Sequence, residues 1–430
     1  MDVMQTSSAS CSKETWDVSG GIDWTDAFSE MSRKIIQDGS NGFHHIKTAT
    51  SRGLVNFSQS DLNTQLFPTE EFKACMVMSL TRGKQTPQSN GASMGNSALR
   101  EAIAQRMRQR GVSTSPDEIL ITGSIEESYH LVLRLLGQSD RRLIIEAPTN
   151  RHFITALRFT GFHVATVPMR DDGLDLDMLE RTMQSNPPCL VYTIPNFHDP
   201  TGITTSQNHR ERLLFLCEKV HVPIIEDGTQ DEMTLFGKSI HPIKAMDHNG
   251  LVIYLGTFAP ALSPTIRYGW IVAPRRCIRG LAAIQRMSCP SAFDLVQPAL
   301  ALFLQDGSYG LHLKRIHRIF QRRMQVAIQA VEAELPSDIL WEHPKGGQFL
   351  WLFAPWDCSD TELLSAAHHN GIHYLSGSHY FYRDAVSGFL SLRFQMIGER
   401  RIEEGIKRLG CTFYQFKEDA DRSRLCSLSE

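Results

Sequence analysis

The stretch from Cys189 to Asp227 reads CLVYTIPNFHDPTGITTSQNHRERLLFLCEKVHVPIIED. A short apolar run, Cys189 to Ile194, leads into a Pro- and Gly-bearing loop. Asn208 to Val220 then carries apolar residues at helical spacing, and a second apolar run, Val222 to Glu226, ends at Glu226-Asp227. Short apolar runs bounded by turn residues predict buried strands, and a helix between two of them predicts a parallel crossover. Sheets of this kind collect their chemistry at the carboxyl ends of the strands. Asp227 stands at such an end, and His198-Asp199 lie in the loop after the first strand.

The alternation extends in both directions. Upstream, a helix over Ala98 to Met107, closed by Gly111, precedes a strand at Ile119 to Thr122. Strand Leu143 to Glu146, helix His152 to Phe159, strand His163 to Val167 and a helix around Leu176 to Met183 follow. Downstream come strands at Leu251 to Gly256 and Tyr268 to Val272, then long helices ending near Glu334. Trp341 to about Cys411 reads as strand, helix, strand and helix. These patterns predict an α/β protein with a mostly parallel, seven-stranded-type sheet sandwiched by helices over 53–310. A connecting helix and a small α+β domain are expected over 311–415. An N-terminal arm or lid is expected over 1–52, with a helix near Trp24 to Ile36, and a flexible tail over 416–430.

Composition narrows the partners. Hydrophobic residues make up 41% and charged residues 21% of the 430, the usage of an ordinary globular protein. A net charge of −3 gives no field that would hold nucleic acid or an anionic membrane, so a small molecule is the expected partner. Nine scattered cysteines without a CxxC pair predict reduced thiols and no metal site. Met1 to Cys11 is polar and Ser-rich and lacks the apolar core of a secretory signal, which predicts a cytoplasmic protein. The run Leu295 to Leu304, broken by Gln297 and Pro298, is too short to span a bilayer.

The strand ends carry an ordered set of motifs over residues 53 to about 411. They include Leu99-Arg100-Glu101-Ala102-Ile103, Asp172-Gly173-Leu174, Tyr192 to Pro195 with Asp199-Pro200-Thr201-Gly202, and Ile225-Glu226-Asp227. Further on stand Gly256-Thr257-Phe258, Leu262-Ser263-Pro264 with Arg267 and Gly269, Gly346-Gly347-Gln348-Phe349, and Leu392-Arg393-Phe394. In combination and in this order, the chain resembles the class I/II aminotransferases of fold type I. The similarity is closest to the kynurenine/aminoadipate type and to the aminotransferase domain of MocR-type regulators. No segment with a helix-turn-helix pattern accompanies the motifs, so DNA binding is not expected.

The resemblance implies pyridoxal phosphate chemistry. That chemistry needs a lysine amine to hold the cofactor and move a proton, and a carboxylate on the pyridine nitrogen. It also needs donors for the phosphate and an arginine fork for the substrate carboxylate. By motif, Asp227 matches the pyridine carboxylate, Arg267 and Thr257 match phosphate groups, and Arg393 matches the substrate arginine. Other positions depart from the pattern. Ala259-Pro260 stands where the family has Ser-Lys, and no lysine occurs between Lys244 and Lys314. Asp199 replaces an asparagine, Thr229 falls at a tyrosine position, and Asn150 falls at the stacking aromatic. Ser124-Ile125-Glu126 replaces Gly-Ala-Gln in the phosphate turn.

These departures predict a protein with no working cofactor. Noncovalent pyridoxal phosphate, or its attachment to a relocated lysine such as Lys244 or Lys345, stands as the alternative. The expected function is that of a repurposed enzyme acting on an amino-acid-like or carboxylate-bearing biosynthetic intermediate. Asp227, Asp199 and His198 would supply acid–base chemistry, and Arg393, Asn150, His152 and Thr229 would bind the substrate. Ser124, Glu126, Thr257, Pro260 and Arg267 would line the former cofactor site. A non-catalytic relative that binds a ligand or partners an active homologue is the competing reading. Because the family's site forms between two subunits, the resemblance also implies a homodimer.

Overall fold

A computed structural model describes residues 24–29, 32, 33, 36, 53–58, 64–83, 94–137, 141–185, 188–238, 240–262, 266–288, 295–356 and 358–427. The chain divides into two units, Met1–Ser51 and Arg52–Glu430. In the first, Trp24–Ala27 is helical, and most of the expected arm lies outside the described residues.

In the second unit an eight-stranded sheet occupies the centre. Its strands are β1 (Ile119–Thr122), β2 (Arg142–Ala147), β3 (His163–Arg170), β4 (Gly173–Leu174), β5 (Leu190–Thr193), β6 (Ile224–Asp227), β7 (Val252–Thr257) and β8 (Gly269–Val272). They run in the order β1-β8-β7-β6-β5-β2-β3-β4. The five strands from β7 to β3 are mutually parallel. β8 is antiparallel to both of its neighbours. The two-residue β4 turns back on β3 and makes the eighth strand beyond the expected seven.

Helices cover both faces, as buried parallel strands require. Those that position the site are α1 (Thr69–Gly83), α2 (Ser97–Gln109), α3 (Ile125–Leu136), α4 (Arg151–Arg158), α5 (Leu176–Ser185), α6 (Gln207–Lys219) and the four-residue α7 (Ala259–Leu262). Each of three N-termini is fixed by its own cap. Ser124 accepts from Glu127 N–H, Asn150 from His152 and Phe153 N–H, and Ser206 from His209 N–H. Such caps contribute about 1 kcal/mol each. On one face Tyr129, Phe153, Leu157 and Ile225 join a buried cluster; on the other Ile144, Val191, Leu213 and Ile243 form a second.

α8 (Arg275–Ser288), α9 (Val296–Gln305) and the 27-residue α10 (Ser308–Glu334) lead away from the sheet. A four-stranded sheet follows, built from β9 (Leu340–Trp341), β10 (Phe349–Phe353), β11 (Leu375–Ser376) and β12 (Phe389–Arg393) in the order β9-β10-β12-β11. α11 (Asp360–His369) and α12 (Glu399–Ser427) flank it. α12 runs through most of the stretch expected as a flexible tail, and Lys417 on it pairs with Asp338 at 2.7 Å. The Gly346-Gly347 pair serves close approach. A Cβ at Gly346 would lie 2.4 Å from the Phe197 ring and 2.5 Å from Met233 O, and Gly347 has φ +76°.

Candidate functional site

Four neighbouring strands, β2, β5, β6 and β7, carry Asn150, His152, His198, Asp199, Asp227, Thr229, Thr257 and Pro260 at or beyond their carboxyl ends, while Ser124 and Glu126 follow β1, Arg267 precedes β8 and Arg393 ends β12. Asp227 is the last residue of β6 and is buried. Its Oδ2 accepts from the Tyr129 hydroxyl at 2.5 Å and the Tyr192 hydroxyl at 2.6 Å. Its Oδ1 accepts from Thr229 N–H at 2.9 Å and Thr229 Oγ at 2.5 Å. Tyr192 stacks on Phe153 at 3.6 Å between centroids, which fixes its hydroxyl vector.

Asp227 therefore meets only neutral donors, and among the described residues it forms no ion pair. Burial pushes its carboxyl up, while the bonds from Thr229, Tyr129 and Tyr192 oppose that shift. Burial, and then the nearby Asp227 charge, hold both tyrosines well above their ordinary pKa, so they keep their protons and remain donors. A carboxylate oxygen accepts about two hydrogen bonds. Both oxygens are thus filled by the chain itself.

Around Arg393 lies a second cluster, which joins the small domain to the large one. Arg393 Nη2 donates to Asp199 Oδ1 at 2.5 Å and to the Tyr380 hydroxyl at 3.0 Å. The guanidinium lies over the Phe349 ring, 5.0 Å from its centroid. Asn150 Nδ2 donates to Asp199 Oδ2 at 3.0 Å, while its Oδ1 caps α4. Burial alone would lower the Arg393 pKa; the Asp199 charge overrides it and the net shift is upward. The anion expected for Arg393 from a small molecule is supplied here by Asp199. Arg393 Nε and Thr149 Oγ1 are buried without a partner.

His198, expected to act as an acid or base, is fully buried, with both ring nitrogens engaged. Nε2 meets Glu146 Oε2 at 3.1 Å and Nδ1 meets Thr201 Oγ1 at 2.8 Å. That arrangement ties the β5 loop to β2. His152 is only half-buried, with Nδ1 at 3.9 Å from Glu126. Partial burial, and then Arg151, push its pKa down, so it is neutral at neutral pH.

The expected phosphate turn sits at the start of α3. A helix leaves its first N–H groups without an intrahelical acceptor. Ser124 Oγ takes that of Glu127, and those of Ile125 and Glu126 are the donors left for an anion. Glu127, and not Glu126, turns back on the start of this helix, accepting from Gly123 N–H at 2.5 Å and from Gln285 at 3.0 Å. Thr257 Oγ is committed to its own turn, donating toward the Arg267 and Tyr268 carbonyls and accepting from Ala259 N–H. Arg267 is exposed. Pro260 lies in the first turn of α7, its carbonyl accepting from Gln348 at 3.3 Å.

Of the two lysines considered as a replacement, Lys244 Nζ is held by Asp247 at 2.8 Å and Lys345 is exposed. Tyr129, Tyr380 and Gln230 belong to the site without having been predicted. Gln230 is buried and its Oε1 has no partner. Tyr129 reads in sequence as one more apolar-face residue of an amphipathic helix, and nothing in its spacing signals that its hydroxyl reaches Asp227. No group of three or more His, Cys, Asp or Glu side chains is placed to hold a metal among the described residues. No described helix is long and apolar enough to cross a membrane.

A mixed sheet with a carboxylate at the end of its central strand, joined through an arginine to a C-terminal sheet domain, defines the fold-type-I aminotransferase architecture. Residues 55–409 match the family aminotransferase class I and II, and the chain belongs to that family. Aromatic-amino-acid aminotransferase 1 of Thermococcus litoralis is 32% identical over 329 residues, covering 75% of this chain and 79% of that protein. An uncharacterized HTH-type transcriptional regulator of Bacillus subtilis, YdfD, is 28% identical over 396 residues, covering 90% and 79%. The structure of Pyrococcus horikoshii kynurenine aminotransferase in complex with PMP superposes with a TM-score of 0.85 at 25% identity, covering 91% of this chain and 98% of that one.

This kinship corrects two expectations. The family is one of pyridoxal-phosphate enzymes, and the Pyrococcus structure holds the amine form of that cofactor, so the expectation of no cofactor is overturned. The presence of a regulator among the relatives leaves the exclusion of nucleic acid without support.

Residue by residue, the fit to that cofactor is divided. Asp227 fits the ring nitrogen, at the cost of one existing donor; the half-buried Thr229 hydroxyl can rotate away. The start of α3 with Ser124 fits a phosphate. Pro260 carries no side-chain amine.

Proposed function

We propose that this protein is an aminotransferase-family member that seats pyridoxal or pyridoxamine phosphate noncovalently and handles a small amine-bearing molecule, with Pro260 at the position of the family lysine. The observation that carries the reading is a buried strand-end carboxylate, Asp227, held by neutral donors and not by a cation. An acid so placed can meet a ring nitrogen without an arginine competing for it.

When bound, the cofactor supplies an electron sink. The remaining work falls to the chain. Asp227 anchors the ring nitrogen, Tyr129 and Tyr192 hold their protons toward Asp227 and fix its orientation, and Ser124 with the α3 N-terminus takes the phosphate. His152, neutral at the site's margin, accepts a hydrogen bond or a proton there. A homodimer is the proposed working unit, on kinship alone.

A second reading, a non-catalytic member that binds the same ligands to sense them or to partner an active homologue, is favoured by the engaged state of His198 and Lys244. It differs from the first in turnover and shares its binding.

Equilibrium dialysis and absorbance with pyridoxamine phosphate and pyridoxal phosphate, followed by borohydride and mass measurement, test the proposal. Reversible one-to-one binding, lost in Asp227→Asn and leaving no added mass, is expected. A stable mass increase would mean that a lysine carries the cofactor. Absence of binding would sink the seat itself.

A further inference from the structure

The Arg393 cluster carries a consequence for the ligand, one that rests on reading this pocket as the substrate site. We infer that Asp199 is a specificity-determining residue that converts a carboxylate clamp into a site for an uncharged acceptor. The favoured ligands are then amines whose neighbouring group is neutral, such as an amide or alcohol, and not α-amino acids.

Three observations support this. First, the positive charge of Arg393 is already matched: Asp199 Oδ1 sits 2.5 Å from Nη2, and both side chains are buried, 5% and 6% exposed. A ligand carboxylate entering here would place a second anion against one cation in a poorly screened site, where like charges repel strongly.

Second, Asp199 is held in place from its other side. Its Oδ2 accepts from Asn150 Nδ2, and Asn150 is itself fixed as the cap of α4. Asp199 cannot swing out of the pair without breaking that bond too.

Third, the fork is only partly used. Arg393 Nε is buried with no partner. A guanidinium carries N–H donors on three nitrogens; Asp199 and Tyr380 take those of Nη2, and Nε is among the donors left for a neutral oxygen. A carbonyl of an amide or a hydroxyl supplies that acceptor and adds no charge.

The test is a matched series, L-phenylalanine, L-phenylalaninamide and L-phenylalaninol, titrated by calorimetry into wild type and Asp199→Asn. Cofactor loading is set and read separately by absorbance, so failure of cofactor binding and failure of this inference appear in different measurements. Wild type is expected to bind the amide or alcohol at least tenfold more tightly than the acid, and Asp199→Asn to reverse that order. Binding of the acid by Asp199→Asn alone, with none of the three held by wild type, supports the exclusion of carboxylates equally.

The inference is overturned if wild type prefers the acid, if the order is unchanged in Asp199→Asn, or if neither protein binds any of the three. Because Asp199→Asn leaves a buried cation unpaired, the double variant Asp199→Asn/Arg393→Gln, which buries no charge, provides a second reading. It should bind acid and amide within about threefold of each other, and a retained tenfold preference for the amide would place the selectivity elsewhere.

Discussion

Asp227 and Asp231 lie four residues apart, both buried, and their surroundings differ in kind. Asp231 is gripped by a cation: its Oδ2 meets Arg110 Nη2 and the Tyr254 hydroxyl at 2.9 Å, and its Oδ1 accepts from Asn196 at 2.7 Å. Asn196 passes the network on to Arg210, whose guanidinium also meets the Pro195, Thr205 and His241 carbonyls. Asp227 has only hydroxyls and one N–H. The first arrangement ties α2 to the β6–β7 side of the sheet through an ion pair. The second satisfies a carboxylate with groups that can rotate, so a ligand can exchange with one of them at modest cost. Asp231, paired with Arg110, is architecture, and Asp227, held by hydroxyls, is available for chemistry.

The largest expected effect breaks the cationic side. Arg110→Ala leaves Asp231 buried without its counter-ion and should cost about 3 to 5 kcal/mol of stability in chemical denaturation. A loss near that of a surface substitution would remove the distinction between the two acids. Next in size is a pH effect from Glu226, immediately before Asp227. Its oxygens accept from Ile243 and Lys244 N–H at 2.7 and 2.8 Å, yet burial and then Asp231 raise its carboxyl to about 7 from 4.5. Between those values the folded chain holds a proton that the unfolded chain has released. Stability is therefore fully present below about 4.5 and falls as pH rises through about 7, by on the order of 3 kcal/mol in total. Denaturation midpoints across that window should show the decline, and Glu226→Gln should flatten it; an unchanged slope in the variant would assign it to other groups.

Smaller still is the effect of Asp227→Asn on the fold. Asparagine keeps one acceptor oxygen, and the tyrosine hydroxyls can reverse to accept from its amide, so the stability loss should be about 1 kcal/mol. The loss of cofactor binding should be at least tenfold by dialysis. A fold that collapses in this variant would place Asp227 with Asp231 as architecture.

Much of this arrangement was legible before any coordinates. The alternation of apolar runs with helical spacing predicted the sheet, and the Glu226-Asp227 pair at the end of an apolar run marked the strand end, because both signals are local. The pairing of Arg393 was not legible, since its partner Asp199 is 194 residues away and sequence alone offered Arg393 an external anion. The eighth strand was missed because two residues, Gly173 and Leu174, carry no periodicity. The end of α12 read as a tail because its residues are charged; its anchors, Lys417 to Asp338 and Phe413 against Trp356, come from a distant part of the chain. The expectation of no cofactor rested on single positions such as Asp199, Thr229 and Asn150, and it is kinship over residues 55–409 with pyridoxal-phosphate aminotransferases that points to the cofactor.

The finest distinction concerns the two tyrosines on Asp227 Oδ2. Removing one hydroxyl leaves that oxygen one donor, so Tyr129→Phe or Tyr192→Phe alone should cost about 1 kcal/mol. Removing both strips the oxygen of donors in a buried site, and the double variant should lose more than the sum of the singles, an interaction that a double-mutant cycle measures. The same substitution bears on the ligand. Tyr129→Phe removes a donor that orients Asp227, so pyridoxamine phosphate should bind more weakly by dialysis. Tighter binding would make that hydroxyl a competitor of the ring nitrogen and not part of a preorganised seat.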